Sequence, residues 1–373
     1  MTSEVLHFGE DEATWLLRAY GLRLTSLVRI WKGTISQNFQ AMTDIGPVFV
    51  RVSPGRSVAD AEFETRLIWH LLSHGVRTPA LFQAHNRQGY VVLKTKPAAL
   101  GMVYEWIDGY ERIDEEYDEH HAHEVGQLLG QLHLCTANLP VRREGIYSPS
   151  HIRQRLRNLR RHPRLTEELR LVIERLSTTA AQLGEQRPGV LPSGIGHTDL
   201  FPDNILFPSA RCRKKARKGP EPGPWMIDLE QAAWTTLVYD LAVSLLACTA
   251  PVPSSSPDAD APELRRCGPL LQKTARAMVA GYQRMRLLSD GEWTALWAAL
   301  RTACVRFATT RLTDVYLPSL AEADTDPDAE PAPQTTALIK GSGKVHSKDY
   351  RDYLYRLDRL DEINTEQLIF GLR

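Results

Sequence analysis

An α+β protein of two lobes is predicted, a small N-terminal lobe on an antiparallel sheet followed by a larger, mostly helical C-terminal lobe. Three observations predict it. Residues 27–52, "LVRIWKGTISQNFQAMTDIGPVFVRV", read as three short β-segments with Gly33 in the first loop and a turn at Asp44–Pro47. From residue 125 onward the apolar positions recur at helical spacing instead. With 373 residues, the chain also exceeds the size at which one small core stops growing.

Residues 59–74, "ADAEFETRLIWHLLSH", put Phe63, Leu67 and Leu71 on one line with Ile68 and Leu72 beside it, a helix ended by Gly75. Extended segments are expected at 89–93, "GYVVL", and at 100–107, "LGMVYEWI", before Asp108–Gly109 breaks the pattern. The first lobe is therefore set at 1–107 and the second at 108–373. In the second, Val125, Leu128, Leu129 and Leu132 form a helical stripe, and a basic helical segment, "HIRQRLRNLRRHPRL", follows. Trp293, Leu296, Trp297, Leu300 and Cys304 carry a helix through 290–312, and "HSKDYRDYLYRLDRLDEI" is helical again. Two stretches interrupt this order: a basic insertion at 208–224 and a Pro, Asp, Ala and Gly-rich excursion at 319–345. The insertion reads as a solvated hairpin tip, with a phosphate- or nucleic-acid-binding role as the minority alternative, since basic residues without interleaved aromatics are a weak signal.

Lys plus Arg and Asp plus Glu both number 45, so no global field steers the chain toward nucleic acid or a membrane. Five scattered cysteines with no CxxC pair suit a reducing cytoplasm better than a disulfide framework. The apolar run "TLVYDLAVSLLACTA" is interrupted by Asp240 and falls short of the roughly 18 residues a membrane span requires. A cytoplasmic enzyme, monomeric or homodimeric, is expected.

The chemistry concentrates in "GIGHTDLFPDNILF", residues 194–207. Phosphoryl transfer from a nucleotide needs a carboxylate at the attacking hydroxyl, oxygen ligands for Mg²⁺, a cation on the phosphates and a loop over them. His197-x-Asp199-x-x-x-x-Asn204 matches the spacing of a kinase catalytic loop, with Asp199 orienting the hydroxyl and Asn204 on metal. Downstream, "MIDLE" puts Asp228 after an apolar run, where its carboxylate would reach Mg²⁺. Arg51, in "VFVRV", stands where a phosphate-holding cation is needed, although an exposed strand-end arginine is an equal alternative on sequence. Glu64 lies on the inward flank of its helix, with Ile68 and Leu72, and is taken as the partner of Arg51. In "KGTISQNF", Gly33 would supply a tight turn while Ser36 and Asn38 donate to phosphate oxygens. Each part alone is common; in this chain order they form a set.

The run "HTDLFPDNILF", then "IDLE" and "YDLAVSLLAC", resembles the aminoglycoside phosphotransferase and choline kinase superfamily, which has the protein-kinase-like fold. Within it the likeness is greatest to the bacterial homoserine kinases of that fold, through the DLFPDN-type loop, the YDLAV helix start, "RLTDVYLP" and "KDYRDYL". The resemblance implies a bilobal, ATP- and Mg²⁺-dependent kinase for a small hydroxyl-bearing metabolite, L-homoserine or a related amino alcohol. It implies Asp199 as base, Asn204 and Asp228 on metal, and Arg51 and Glu64 at the phosphates. Adenine is expected against the linker around Tyr104–Ile107, with Glu105 and Ile107 as binding residues, and the nucleotide between the lobes. His197 would brace the catalytic loop. Glu230 and Asp203 are set as supporting or substrate residues, a loop-bracing bond being the first reading for Asp203.

Competing chemistries fail on single positions. "HEVGQ" lacks the second histidine of HExxH, because Gln127 stands there. "KGSGKVH" lacks a Walker motif, since Leu338 replaces its first glycine and Val345 its hydroxyl. No G-x-S-x-G supplies a nucleophile elbow. His133 reads as a satisfied core or surface histidine. Two alternatives remain open: a phosphotransferase for aminoglycosides, amino sugars or choline, to which the acidic segment at 108–121 would suit a polycation, and a nucleotide-binding pseudokinase without turnover.

Overall fold

A computed structural model describes residues 6–31, 36–113, 117–137, 139, 141–163, 165–185, 189–210, 212, 223–251, 266–318 and 349–373. Gly33, most of the basic insertion and the excursion at 319–345 lie outside the described residues. The chain forms two compact units. Among the described residues, the first takes the chain up to Glu111 together with Ile205–Glu230, and the second takes Arg112–Asn204 and the chain from Gln231 onward. The division thus falls at Glu111/Arg112 rather than at residue 107, and the first unit also draws in 205–230, which the sequence division gave to the second.

The first unit opens with α1 (Glu10–Ala19), which sequence periodicity had not singled out. An antiparallel sheet follows: β1 (Leu24–Ile30), β2 (Gln37–Thr43), β3 (Gly46–Pro54), β4 (Tyr90–Leu93) and β5 (Ala99–Glu105), in the order β1-β2-β3-β5-β4. Alternation puts Phe39, Ala41, Val48, Val50 and Val52 in one core with Leu16 and Leu17 of α1. Between β3 and β4 runs α2 (Val58–Ser73), started by Ser57, whose hydroxyl accepts from the Asp60 amide at 3.1 Å. Its inward stripe, Phe63, Leu67, Ile68 and Leu71, is buried as the spacing predicts, and Glu64 is buried with it. A second small sheet pairs β6 (Gly109–Tyr110) with β8 (Ile205–Pro208), and β8 with β9 (Trp225–Met226), so the basic insertion hangs on the β8–β9 hairpin.

The second unit is mostly helical: α3 (Glu119–Thr136), α4 (Pro149–Leu159), α5 (Glu167–Glu185), α6 (Leu237–Cys248), α7 (Gln272–Met285), α8 (Asp290–Arg311), α9 (Arg351–Asp361) and α10 (Thr365–Leu372). The strands β7 (Ser193–Gly196) and β10 (Ala233–Thr236) pair antiparallel within it. α3 and α7 approach so closely that a Cβ on Gly281 would stand 2.0 Å from the His123 carbonyl oxygen, so only glycine fits there. α8 starts with a reciprocal cap between Ser289 and Glu292 and continues beyond Arg311 into a π-helical turn, Leu312–Tyr316. Trp297 ties α8 to the end of α9, its indole N–H donating to the Leu360 and Ile363 carbonyls at 3.0 and 3.1 Å. No described helix is long and apolar enough to cross a membrane.

Candidate active site

The loop that follows β7 is held by one carboxylate. Asp240, in the first turn of α6, is fully buried, and its Oδ2 accepts from the His197 amide at 2.7 Å while its Oδ1 accepts from the Thr198 amide at 2.6 Å. The buried His133 ring meets the same carboxylate through Nε2 at 2.9 Å and the Tyr282 hydroxyl through Nδ1 at 2.8 Å. Burial works to raise the Asp240 carboxyl, yet the His133 hydrogen bond, the His133 and His197 rings and the Thr198 amide hold it below the usual carboxylate range. Gly196 leaves the room this needs, since a Cβ there would lie 2.6 Å from Asp240 Oδ2. His133 is thus a core histidine, as the sequence reading had it.

Thr198 pays locally for this geometry, at φ 61°, a region that β-branched residues rarely enter. Three contacts hold it there: its amide on Asp240, its hydroxyl donating to the Gln231 carbonyl at 2.9 Å, and its carbonyl accepting from Arg306. Arg306, buried in α8, also brings its Nη2 to 3.6 Å from Asp199 Oδ1 and stacks over Tyr147 and Phe307. Asp199, one residue on, keeps a third of its side chain exposed. The Asn204 amide nitrogen donates to the Asp199 carbonyl at 2.8 Å, closing the loop through a short 3₁₀ turn at Pro202–Asn204. His197 is fully buried and Asp203 half-buried on that turn.

A separate charged network occupies the first unit. Arg51 lies inside β3, not at its end, and is buried. The exposed alternative is therefore set aside. Its Nη1 stands 3.1 Å from Asp228 Oδ1, 3.7 Å from Glu64 and 3.9 Å from Glu230. Burial works to lower the guanidinium, but Asp228, Tyr104, Glu64 and Glu230 hold it raised. Glu64 does meet Arg51, but its shorter ion pair is with Arg56, and the Tyr104 hydroxyl donates to its other oxygen at 3.0 Å. Asp228 follows β9 at φ 63°, with two-fifths of its side chain exposed. Burial and the neighbouring Asp228 raise the Glu230 carboxyl, against the lowering by Arg51 and Arg56.

The remaining predicted residues fall as follows. The Ser36 and Ser53 hydroxyls share a hydrogen bond at 2.8 Å, and Asn38 faces Arg51 across the β2–β3 pair. Glu105 ends β5; its amide donates to the Ala80 carbonyl at 2.7 Å, and its side-chain Oε2 accepts from the Ala80 amide at 3.3 Å. Ile107 is half-buried, with its carbonyl accepting from the Gly109 amide. Arg56, Asp240 and Arg306 escaped the sequence reading as site residues, and Tyr104, named there only in the adenine linker, is found bonded to Glu64. The one local signal was Asp240 itself, a carboxylate interrupting an apolar helix. A cavity of about 660 Å³ adjoins the loop, with Thr198, Tyr147, Tyr239 and Arg306 in its lining, but Asp199 is not in that lining.

A sheet-based unit carrying a buried arginine with three carboxylates, and a helical unit carrying a clamped Asp–Asn loop, define a phosphotransferase of the protein-kinase-like class, with an alcohol group as acceptor. Residues 26–288 match the Phosphotransferase enzyme family, and the chain belongs to that family. It is similar to a homoserine kinase of Nitrobacter hamburgensis, 30% identical over 308 residues that cover 82% of this chain and 84% of that one. A homoserine kinase of Pseudomonas aeruginosa is 29% identical over 290 residues, covering 78% and 81%. Among solved structures, amicoumacin kinase hAmiN in complex with AMP-PNP, Ca²⁺ and Ami shares the fold at a TM-score of 0.64 and 14% identity, covering 96% of this chain and 97% of that one. Choline kinase from Cryptosporidium parvum does so at 0.54 and 16%, covering 80% and 90%.

Proposed function

We propose that this protein is an ATP-dependent kinase that transfers the γ-phosphoryl group to the hydroxyl of L-homoserine or a closely related amino alcohol, in the cytoplasm and as a monomer or homodimer. The observation that carries the reading is the clamped loop, in which Asn204 is tied to the Asp199 backbone while Asp199 keeps an accessible carboxylate. The likeness to homoserine kinases at up to 30% identity supports the acceptor.

In this reading Asp199 accepts or orients the acceptor hydroxyl, and Arg306 fixes its carboxylate. His197 braces the loop through its amide on Asp240. Arg51, with Glu64 and Arg56 behind it, holds the nucleotide phosphates. Ser36, and Asn38 within β2 rather than in a loop, donate to those phosphates, a task that Gly33 shares, and the backbone at Glu105 and Ile107 takes the adenine edge. Asp203 supports the turn that presents Asn204, and Glu230 supports Arg51.

The donor set suits Mg²⁺. Asn204 spends its amide nitrogen on Asp199 and so offers its oxygen, and Asp228 offers a carboxylate, both hard donors. Bound there, Mg²⁺ supplies charge neutralisation at the β- and γ-phosphates.

The test is coupled ADP release with L-homoserine, choline, an aminoglycoside and an amino sugar, with and without Mg²⁺. Saturable, Mg²⁺-dependent turnover of L-homoserine is expected. Turnover confined to an aminoglycoside or choline would replace the acceptor, and nucleotide binding without ADP release on any acceptor would leave the pseudokinase reading.

A further inference from the structure

Beside the catalytic carboxylate the second unit carries a second charged pair. Arg155, on α4, brings its Nη1 to 2.5 Å from Asp314 Oδ1 and 2.8 Å from the Thr313 hydroxyl, while the Thr313 hydroxyl itself donates to Asp314 at 2.7 Å. Thr313 and Asp314 sit on the π-helical turn that continues α8, a distortion frequent at functional sites. One aromatic ring joins this pair to the catalytic loop. The Arg155 guanidinium lies 5.2 Å from the Tyr147 ring centre and that of Arg306 4.8 Å from it, and Arg306 is the residue that faces Asp199. Burial raises the Tyr147 hydroxyl, with Asp314 and Asp199 adding to the rise and Arg155 and Arg306 opposing it. All four charges therefore act on one phenol.

The two pairs differ in availability. Arg306 is buried and committed to the Thr198 carbonyl, whereas the Arg155 and Asp314 side chains are 29% and 42% exposed. A half-exposed ion pair contributes little to stability, so its members can exchange each other for a ligand at small cost. What they can take is set by their chemistry: a planar guanidinium that matches a carboxylate, next to a carboxylate that matches an ammonium. An acceptor that is only a cation, such as a quaternary amine or a polyamine sugar, would gain nothing from Arg155 and be repelled by it.

We infer that Arg155 and Asp314 form the specificity subsite for a zwitterionic acceptor, Arg155 taking the α-carboxylate and Asp314 the α-ammonium, one tyrosine ring away from the carboxylate that receives the hydroxyl. The inference rests on the reading of this protein as a kinase of a small amino alcohol and narrows it to α-amino acids.

The test is steady-state kinetics of the full chain, of Arg155→Met and of Asp314→Asn, with L-homoserine, 4-hydroxybutyrate and 3-amino-1-propanol, thermal unfolding confirming that each variant is folded. Loss of a charge-assisted hydrogen bond predicts that each substitution raises KM for L-homoserine by about 10- to 100-fold, with kcat changed far less. Arg155→Met should cost 3-amino-1-propanol, which lacks the carboxylate, less than about threefold, and Asp314→Asn should spare 4-hydroxybutyrate, which lacks the ammonium, in the same way. Equal losses on all three acceptors, or no loss on L-homoserine, would overturn the subsite. If the unaltered protein turns over no L-homoserine, the proposed function has failed, and calorimetric titration with L-homoserine, L-serine and L-threonine decides the subsite separately. Binding of one of them that Arg155→Met abolishes supports it; binding of none overturns it.

Discussion

Two aspartates, Asp228 and Asp240, show how differently one side chain is used in the two units. Asp240 is fully buried and saturated: two backbone amides and the His133 ring occupy its oxygens, and everything it does is done to the loop bearing Asp199. Asp228 is two-fifths exposed and meets Arg51, which it shares with Glu64 and Glu230. The first builds geometry and the second carries charge within a network. A fully buried carboxylate that accepts from backbone amides fixes a backbone; a part-exposed one paired with an arginine belongs to a charged network.

The sharpest way to break this contrast lies between the two, at Asp199. Asp199→Asn is expected to lower kcat by about 10²- to 10⁴-fold, the range that general-base catalysis supplies, with nucleotide affinity nearly intact. Single-turnover and nucleotide-titration measurements check it, and unchanged kcat would remove Asp199 from its role.

Next comes the pair itself. Asp240→Ala should cost about 3–5 kcal/mol of stability, as breaking a buried charged network does. Because its folded pKa is depressed, its contribution is present above the ordinary aspartate value and is lost as pH falls through the folded one. Asp228→Ala should leave the denaturation midpoint almost unmoved while weakening Mg²⁺-dependent nucleotide binding. Urea unfolding from pH 3 to 7 alongside nucleotide titration reads both, and equal destabilisation by the two substitutions would erase the distinction drawn here.

The smallest effect concerns Glu230. Its folded carboxyl is raised, so the folded state binds protons more readily than the unfolded chain, and stability falls as pH rises from the ordinary glutamate value through the raised one. Glu230→Gln should abolish that slope and make the protein slightly more stable at neutral pH. An unchanged slope in thermal midpoint against pH would show that another group titrates there.

Much of this was legible in the sequence, and the reason is local periodicity. The helix expected at 59–74 is found at Val58–Ser73, the segment expected at 89–93 at Tyr90–Leu93, and the helix expected at 290–312 at Asp290–Arg311 with a π-helical turn after it. The spacing of His197, Asp199 and Asn204 was readable because those residues belong to one loop. What escaped were partners far along the chain. Arg306 reaches Thr198 across 108 positions and His133 reaches Asp240 across 107, and no local pattern marks such pairs. Arg56 was passed over because it sits in a turn between β3 and α2, outside either periodic segment, although it holds Glu64 more closely than Arg51 does.

The route of the chain has a further consequence. It enters the first unit a second time after Asn204 and leaves it after Glu230, and during that visit β8 pairs with β6 and β9 with β8. The first unit is therefore discontinuous, and no cut near residue 107 or 111 could release it as an inheritable module. Gene fusion or recombination that exchanged only the leading segment would strip β6 of its neighbour and Arg51 of Asp228. Among the described residues, homologous shuffling has to exchange both stretches together, and fragment complementation would need its breakpoints at 111/112, 204/205 and 230/231, the last beside the glutamate that meets Arg51.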